Sequence, residues 1–206
     1  FQLHDEFSWY PSGRDVSSNA QVMLHFTAAI TYWIFGAGGN LYDFTILFPV
    51  IFGSLTSIVV FALVRVIGGT TAGLFSALLF SISLPIIIRG QLGWFKSEPL
   101  GLFFSILAVY LFLSGLNSKN PKITISKIIG AGIFIIFGLS AWGGDQFFIL
   151  PLGIFILTLP FLQSNHKFLI WTIPLFTASI MISSLAFERL GIHFITGFGG
   201  VSLIIP

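Results

Sequence analysis

Long apolar runs without charge are the feature that most limits how this chain can fold. Residues 72–88 and 100–116 contain no charged side chain at all. Hydrophobic residues make up 55% of the 206 residues and charged residues 8%, and the mean hydropathy is +0.99. So few polar side chains cannot cover the outside of a water-soluble fold of this size. The solvent must be lipid, and we predict a polytopic membrane protein.

The length of the apolar runs predicts how often the chain crosses the bilayer. A transmembrane helix needs about 20 residues, and the sequence supplies candidates at 41–64, 72–88, 100–116, 128–141, 147–162 and 168–186. These runs are continuously apolar, whereas the strands of a membrane barrel alternate apolar and polar residues. We therefore predict an all-α protein with about six spans. The shorter apolar segment 22–35 either crosses the membrane or lies at its surface.

The distribution of charge predicts an orientation. If the loop that begins at Arg65 is cytoplasmic, five basic residues lie inside, as the positive-inside rule requires: Arg65, Lys119, Lys122, Lys127 and Lys167. All seven acidic residues then lie outside, provided that segment 22–35 does not cross. Either each acid simply keeps a loop in water, or the outer face contains an acid-lined site.

A polar island between two uncharged runs is the strongest candidate for a working site. Arg89, Lys96 and Glu98 lie within ten positions of one another, and a charge near hydrocarbon costs several kcal/mol unless it is paired or faces water. Pro99 suits the first turn of a helix, where the helix dipole stabilises the Glu98 carboxylate. One interpretation is a capped helix start in which Arg89 balances Glu98. The other is that Glu98 ligates a hard divalent cation and Arg89 binds a phosphate.

Five segments in series resemble one known family. They are Phe7-Ser-Trp-Tyr-Pro-Ser-Gly-Arg14, Leu47-Phe-Pro-Val-Ile-Phe-Gly-Ser-Leu-Thr56, Ala72-Gly-Leu-Phe-Ser-Ala-Leu-Leu-Phe80, Arg89-Gly-Gln-Leu-Gly-Trp-Phe-Lys-Ser-Glu98 and Ala141-Trp-Gly-Gly144. In this order and spacing they resemble the membrane domain of the oligosaccharyltransferase catalytic subunit, and most of all its archaeal members. The resemblance covers roughly positions 5 to 160.

The resemblance implies a C-type glycosyltransferase (GT-C) helix bundle and a reaction. Such an enzyme transfers an oligosaccharide from a dolichyl phosphate or pyrophosphate carrier to asparagine in an Asn-X-Ser/Thr sequon of a polypeptide. The cofactor would be Mn²⁺ or Mg²⁺ held by acidic residues of external loops. The partners would be the lipid-linked oligosaccharide, the acceptor polypeptide and the bilayer, with no nucleic acid. The protein would cross the cell membrane several times, with its active face extracytoplasmic.

The resemblance also assigns roles to residues. Residues 96–98 align with the family's second acidic motif, so Glu98 would be a catalytic residue and a metal ligand, and Arg89 would be a second catalytic residue. Lys96 departs from the motif, because an ammonium cannot coordinate a cation; either it binds phosphate or it marks a degenerate paralogue. Asp145 stands where an aromatic residue commonly follows Trp-Gly-Gly, either as a compensating ligand or as a solvated loop acid. Trp94 and Trp142 complete the set of expected substrate contacts.

The expected organisation follows from the same alignment. Residues 1–42 would belong to the first external loop, with 22–35 as an interfacial helix. Residues 43–186 would form the bundle with the external loop 89–99, and 187–206 would begin a further external segment or span. The chain would be a fragment that lacks the C-terminal soluble domain and is inactive alone. The alternatives are another GT-C enzyme with a polyprenyl-phosphate sugar donor, and a degenerate, non-catalytic paralogue. A transporter is disfavoured, because the charges lie at the ends of the spans and not at the bilayer midplane.

Overall fold

The protein is a bundle of α-helices in a computed structural model that describes residues 4–6, 11–15, 21–162, 166–197 and 199–201. The described helices are α1 Val22–Phe35, α2 Leu41–Ser81, α3 Leu84–Arg89, α4 Glu98–Leu116, α5 Pro121–Ala141, a 3₁₀ turn Gly143–Asp145, α6 Gln146–Leu162, α7 His166–Ser184 and α8 Gly191–Thr196. Two short strands, β1 His4–Asp5 and β2 Arg14–Asp15, pair antiparallel. The predicted all-α membrane architecture is confirmed.

Helix α2 is a hairpin of two antiparallel arms. Gly69 has φ +83° and ψ 179°, which breaks the helix at a residue that tolerates a positive φ. A methyl group at Gly73 would lie 2.9 Å from the Phe61 carbonyl oxygen, and the Ser81 hydroxyl donates to Ser57 Oγ at 3.0 Å. Because α2 folds back on itself, it contains the predicted span 41–64 and most of the predicted span 72–88.

Four described helical segments are long and apolar enough to cross a membrane. They are Leu41–Ser81, Glu98–Leu116, Pro121–Ala141 and Gly143–Leu162, and a shorter apolar segment covers Phe168–Ser184. With the two arms of α2 counted separately, these segments correspond to the six apolar runs of the sequence. The number of true crossings stays a prediction.

Two predicted helix boundaries differ from the structure. Residues 72–88 are not one continuous helix, because α2 ends at Ser81 and α3 begins at Leu84. Pro85 in the first turn of α3 has no N–H with which to continue the hydrogen-bond ladder. Helix α5 begins at Pro121, seven residues before the predicted start at 128. Asn120 caps it by accepting a hydrogen bond from the Lys122 N–H at 3.0 Å, so the polar residues that follow are helical.

Helices α4 and α5 form the centre of the bundle and share its most extensive contact. Helix α2 packs on α4, and α7 packs on α5. The close approach of α5 and α7 depends on Gly132, where a methyl group would lie 2.8 Å from Ser179 Cβ and 3.1 Å from the Ile180 nitrogen. Small residues at such crossings allow backbones to approach in a bilayer, where packing replaces the hydrophobic effect as the force between helices.

The main apolar core lies between α4, α5, α6 and α7. A second apolar cluster lies where α2 and α4 begin and α5 ends. It joins Phe48 and Phe52 of α2, Leu100 and Phe104 of α4, and Ala141 of α5, and it holds the inner face of α1. The opposite face of α1 exposes Phe26, Ile30, Trp33, Ile34 and Phe35. Helix α1 has 14 residues and is about 21 Å long, which is shorter than the hydrocarbon core of about 30 Å. These features agree with the predicted interfacial helix, which stays a prediction.

Candidate functional site

The polar island forms an ordered loop at the end of the bundle marked by this second cluster. The chain leaves α3 at Arg89 and enters α4 at Glu98. Gly93, which has φ +79°, donates its N–H to the Ile46 carbonyl of α2 at 3.1 Å. This bond fixes the middle of the loop to the first turns of α2.

Side chains of the loop alternate between the bundle and the outside. Phe95 packs on buried Phe48 with ring centroids 5.3 Å apart, and Ser97 is buried. Trp94 and Lys96 point the other way and are exposed, with Lys96 Nζ 5.5 Å from the centre of the Trp94 ring. A cation at this distance from an indole is attracted by the ring's quadrupole. The loop therefore presents an aromatic face and an ammonium group together.

Arg89 and Glu98 form the predicted ion pair. Arg89 Nη1 lies 3.2 Å from Glu98 Oε1, and the side chains are 55% and 16% exposed, respectively. The second carboxylate oxygen, Glu98 Oε2, is buried and has no hydrogen-bond partner among the described residues. Glu98 thus begins α4 beside a balancing arginine, as one interpretation expects. Its role as a ligand through the second oxygen stays a prediction.

The site offers a metal ion a single free carboxylate oxygen. Within the described ranges no group of three or more His, Cys, Asp or Glu side chains could hold a metal. Lys96, which the resemblance aligns with an acidic position, is a cation, and Arg89 contacts the other oxygen of Glu98. Glu98 therefore fits a cation as one ligand of several, and the remaining ligands must come from elsewhere.

The Trp142-Gly143-Gly144 turn depends on its second glycine. Trp142 follows the end of α5 in an extended conformation, and its indole folds over Gly144, where a methyl group would lie 2.8 Å from the Cη2 atom. A methyl group at Gly143 would lie 3.1 Å from a nitrogen at the flexible end of Arg189, which can shift to accommodate it. Only at Gly144 would a side chain displace the indole.

Asp145 follows this turn and is completely buried. Neither carboxylate oxygen has a hydrogen-bond partner among the described residues. The oxygen Oδ2 lies between Gly101 of α4 and Gly138 of α5, where added methyl groups would approach it to 2.6 and 2.9 Å. The interpretation of Asp145 as a solvated loop acid is therefore wrong, because the crossing of α4 and α5 encloses it. Its role as a ligand stays a prediction.

Sequence reasoning did not identify the surroundings of Asp145. Ser105 of α4 borders the same niche and its buried hydroxyl has no partner among the described residues. Gly101 and Ser105 are spaced by four residues within an apolar run. This spacing of two small residues was the one feature of the sequence that could have indicated the niche.

The acidic segment near the N-terminus forms a local pair. His4 Nδ1 lies 2.7 Å from Asp15 Oδ1 across the two short strands, and both side chains are exposed. The hydrogen bond to Asp15 raises the pKa of His4 above its ordinary value. This pair therefore lies in contact with solvent.

The chain matches a known protein family and several curated relatives over most of its length. The family described as "Oligosaccharyl transferase STT3, N-terminal" matches residues 2–205. Among curated relatives, the dolichyl-diphosphooligosaccharide–protein glycosyltransferase subunit STT3B of Arabidopsis thaliana is 28% identical over 158 residues, which are 75% of this chain and 21% of that protein. Subunit STT3 of Dictyostelium discoideum is 26% identical over 188 residues, 89% of this chain and 26% of that protein.

Solved structures of an archaeal enzyme share the fold. The Archaeoglobus fulgidus oligosaccharyltransferase in complex with Zn and sulfate has a TM-score of 0.78 at 21% identity, covering 98% of this chain and 28% of that one. AglB from the same organism, in complex with an inhibitory peptide and a dolichol-phosphate, has a TM-score of 0.76 at 19% identity, covering 98% and 26%. The predicted GT-C fold is confirmed. The chain spans about a quarter of the length of these relatives.

The anchoring of the loop by Phe95 is testable. Replacing Phe95 with Ala removes its packing on Phe48, and we expect a loss of roughly 1–3 kcal/mol of unfolding free energy. Thermal unfolding in detergent should therefore show a lower midpoint. The matched control is Trp94→Ala, which removes an exposed aromatic side chain from the adjacent position and should leave the midpoint nearly unchanged. Equal midpoints for the two variants would contradict the anchoring.

Proposed function

Because this chain belongs to the oligosaccharyl transferase STT3 family, we propose that the full-length protein that contains it transfers a lipid-linked oligosaccharide to asparagine in Asn-X-Ser/Thr sequons. The single observation that carries the proposal beyond family membership is the unpartnered Glu98 Oε2 beside the exposed Arg89. The described chain supplies one wall of the reaction site. The rest of the site belongs to the part of the protein that this chain does not span.

Glu98 is the proposed metal ligand, through its Oε2 atom. A carboxylate oxygen at the start of a helix suits Mn²⁺ or Mg²⁺, both of which prefer oxygen ligands. When bound, such a cation neutralises a phosphate leaving group and orders the acceptor amide. The crystallised Archaeoglobus relative contains zinc, which supports a metal in the family without selecting manganese or magnesium here.

Arg89 is the proposed phosphate contact. Its guanidinium has five N–H donors, and its hydrogen bond to Glu98 uses Nη1. Because the side chain is 55% exposed, the remaining donors are available to the phosphate of a dolichyl carrier from the outer face. The ion pair with Glu98 meanwhile fixes the direction of the guanidinium.

Lys96 and Trp94 extend this surface. The Lys96 ammonium is the second positive charge of the loop that begins at Arg89, so residues 89–98 carry a net charge of one positive unit and attract an anion. The exposed Trp94 ring beside it offers a flat apolar contact to the donor. Trp142 is partly exposed and stays a predicted substrate contact, whereas Asp145 is completely buried, so no substrate contact is proposed for it.

The proposed orientation places this loop on the extracytoplasmic face of the cell membrane. Helices α4 and α5 carry the chain from Glu98 to the opposite end of the bundle and back to Trp142. Lys119, Lys122 and Lys127 lie at that opposite end, which the positive-inside rule assigns to the cytoplasm. Lipid-linked donor and acceptor polypeptide would therefore meet at the outer surface.

A second candidate function has an observation in its favour. Lys96 replaces an acid, and the described residues leave one carboxylate oxygen for a metal. These features also fit a non-catalytic paralogue that keeps the fold and the phosphate-binding charges.

A GT-C enzyme with a polyprenyl-phosphate sugar donor would use the same Arg89 and Lys96 surface.

Replacing Glu98 tests the metal-ligand role. In the full-length protein, Glu98→Gln keeps the shape of the side chain but removes its charge, and we expect transfer to fall at least about 100-fold. The assay supplies dolichyl-linked glycan, a sequon peptide and manganese. Glu188→Gln is the control, because it removes an exposed acid outside the site. Wild-type transfer by Glu98→Gln would remove Glu98 from the mechanism.

Replacing Lys96 separates the two candidate functions. If Lys96 binds the donor phosphate, Lys96→Gln should raise the KM for the donor about tenfold, which corresponds to about 1.4 kcal/mol from one charge-assisted hydrogen bond. Lys96→Asp should then lower transfer further. If the chain is a degenerate paralogue, Lys96→Asp should instead raise transfer and make it more dependent on manganese. That second result would contradict the phosphate-binding role.

A further inference from the structure

Asp145 is the one completely buried carboxylate among the described residues, and the proposed mechanism does not use it. It is enclosed where α4 and α5 cross. A methyl group at Gly101 would lie 2.6 Å from both Asp145 Oδ2 and Trp142 Cβ, and one at Gly138 would lie 2.9 Å from the same oxygen. The two glycines therefore form a niche that the Asp145 side chain fills.

The niche lies on the same face of α4 as Glu98, the proposed metal ligand. Glu98, Gly101 and Ser105 are spaced by three and four residues, so they lie along one stripe of the helix. Five buried side-chain oxygens lack a hydrogen-bond partner among the described residues, and four of them belong to Glu98, Ser105 and Asp145. Four of the five unpaired buried oxygens therefore lie on this stripe of α4 or in the niche beside it.

We propose that Asp145 is a positioning residue for Glu98, an inference that rests on the proposed function. Gly101 lies about 4.5 Å along α4 from Glu98, which is less than one turn. The Asp145 carboxyl sits between the two helix backbones at that level and sets their separation. It thereby fixes the first turn of α4, which carries Glu98, relative to the 3₁₀ turn, which follows Trp142.

Asp145 acts through its shape and its hydrogen-bonding capacity, not as a charge presented to substrate. The carboxyl is enclosed, and none of the described ion pairs includes it. An ionised carboxylate without a partner would cost several kcal/mol in such surroundings. The buried Ser105 hydroxyl that borders the niche is the group with which the carboxyl can share a proton or a hydrogen bond.

Four variants of the full-length protein test this role. Asp145→Ala empties the niche, whereas Asp145→Asn keeps the shape of the side chain and its capacity to form hydrogen bonds. Gly138→Ala adds a methyl group against Asp145 Oδ2 and Ser105. Gly130→Ala is the matched control in the same helix, because its methyl group would lie at an ordinary 3.5 Å from Leu111 Cδ1.

Transfer and its manganese dependence are the first readout. We expect Asp145→Ala and Gly138→Ala to lower kcat about tenfold and to raise the half-maximal manganese concentration several-fold. Asp145→Asn should stay within about threefold of wild type, and Gly130→Ala should match it. If Asp145→Asn loses as much as Asp145→Ala, the carboxylate acts by its charge and the proposal fails. If Asp145→Ala lowers only the thermal midpoint, the residue is merely structural and the proposal also fails.

A distance measurement tests the positioning role of Asp145 without depending on glycan transfer. Spin labels on cysteines at the exposed positions Gln91 and Gln146 report the spacing between the loop and the start of α6. The distribution should broaden or shift in Asp145→Ala and Gly138→Ala, and stay as in wild type in Asp145→Asn and Gly130→Ala. If wild-type protein transfers no glycan, the proposed function fails while this distance still decides the positioning role. Unchanged distances in all four variants would overturn it.

Discussion

The antiparallel contact between α4 and α5 is the constraint on which the rest of the structure depends. These two helices pack most extensively with each other, and α2 and α7 pack on their outer sides. The crossing places three separate pieces of chain at one end of the bundle: the loop that enters α4, the Trp-Gly-Gly turn that leaves α5, and the beginning of α2. In a bilayer such a contact depends on close packing, and Gly101 of α4 and Gly138 of α5 permit it.

Electrostatics at the site reflect a compromise between an anion and a cation. Glu98 is stabilised by Arg89 and by the positive end of α4. In the proposed function Arg89 and Lys96 bind phosphate, whereas the Glu98 oxygen without a partner among the described residues binds a metal ion. Lys96, which the family resemblance aligns with an acidic position, would favour the anion.

The sequence predicted those parts of the fold that depend on composition and order along the chain. Uninterrupted apolar runs predicted a helical membrane protein, and the proximity of Arg89 to Glu98 predicted their ion pair. It did not predict the niche of Asp145, because burial at a helix crossing depends on residues 101, 105 and 138, which are distant in sequence. The sequence did not predict the break after Ser81. Hydropathy shows that these residues are apolar, but it does not show that Pro85 interrupts the hydrogen bonds of the helix backbone.

The central claim is that the loop from Arg89 to Glu98 faces the extracytoplasmic medium. The chain contains no cysteine, so single cysteines give unambiguous labelling in a full-length protein otherwise free of them. The most direct measurement applies a membrane-impermeant maleimide to intact cells that carry Gln91→Cys or Asn117→Cys, at opposite ends of the bundle. We expect Gln91→Cys to be labelled at once and Asn117→Cys only after permeabilisation. The reverse pattern would place the loop in the cytoplasm and contradict the account.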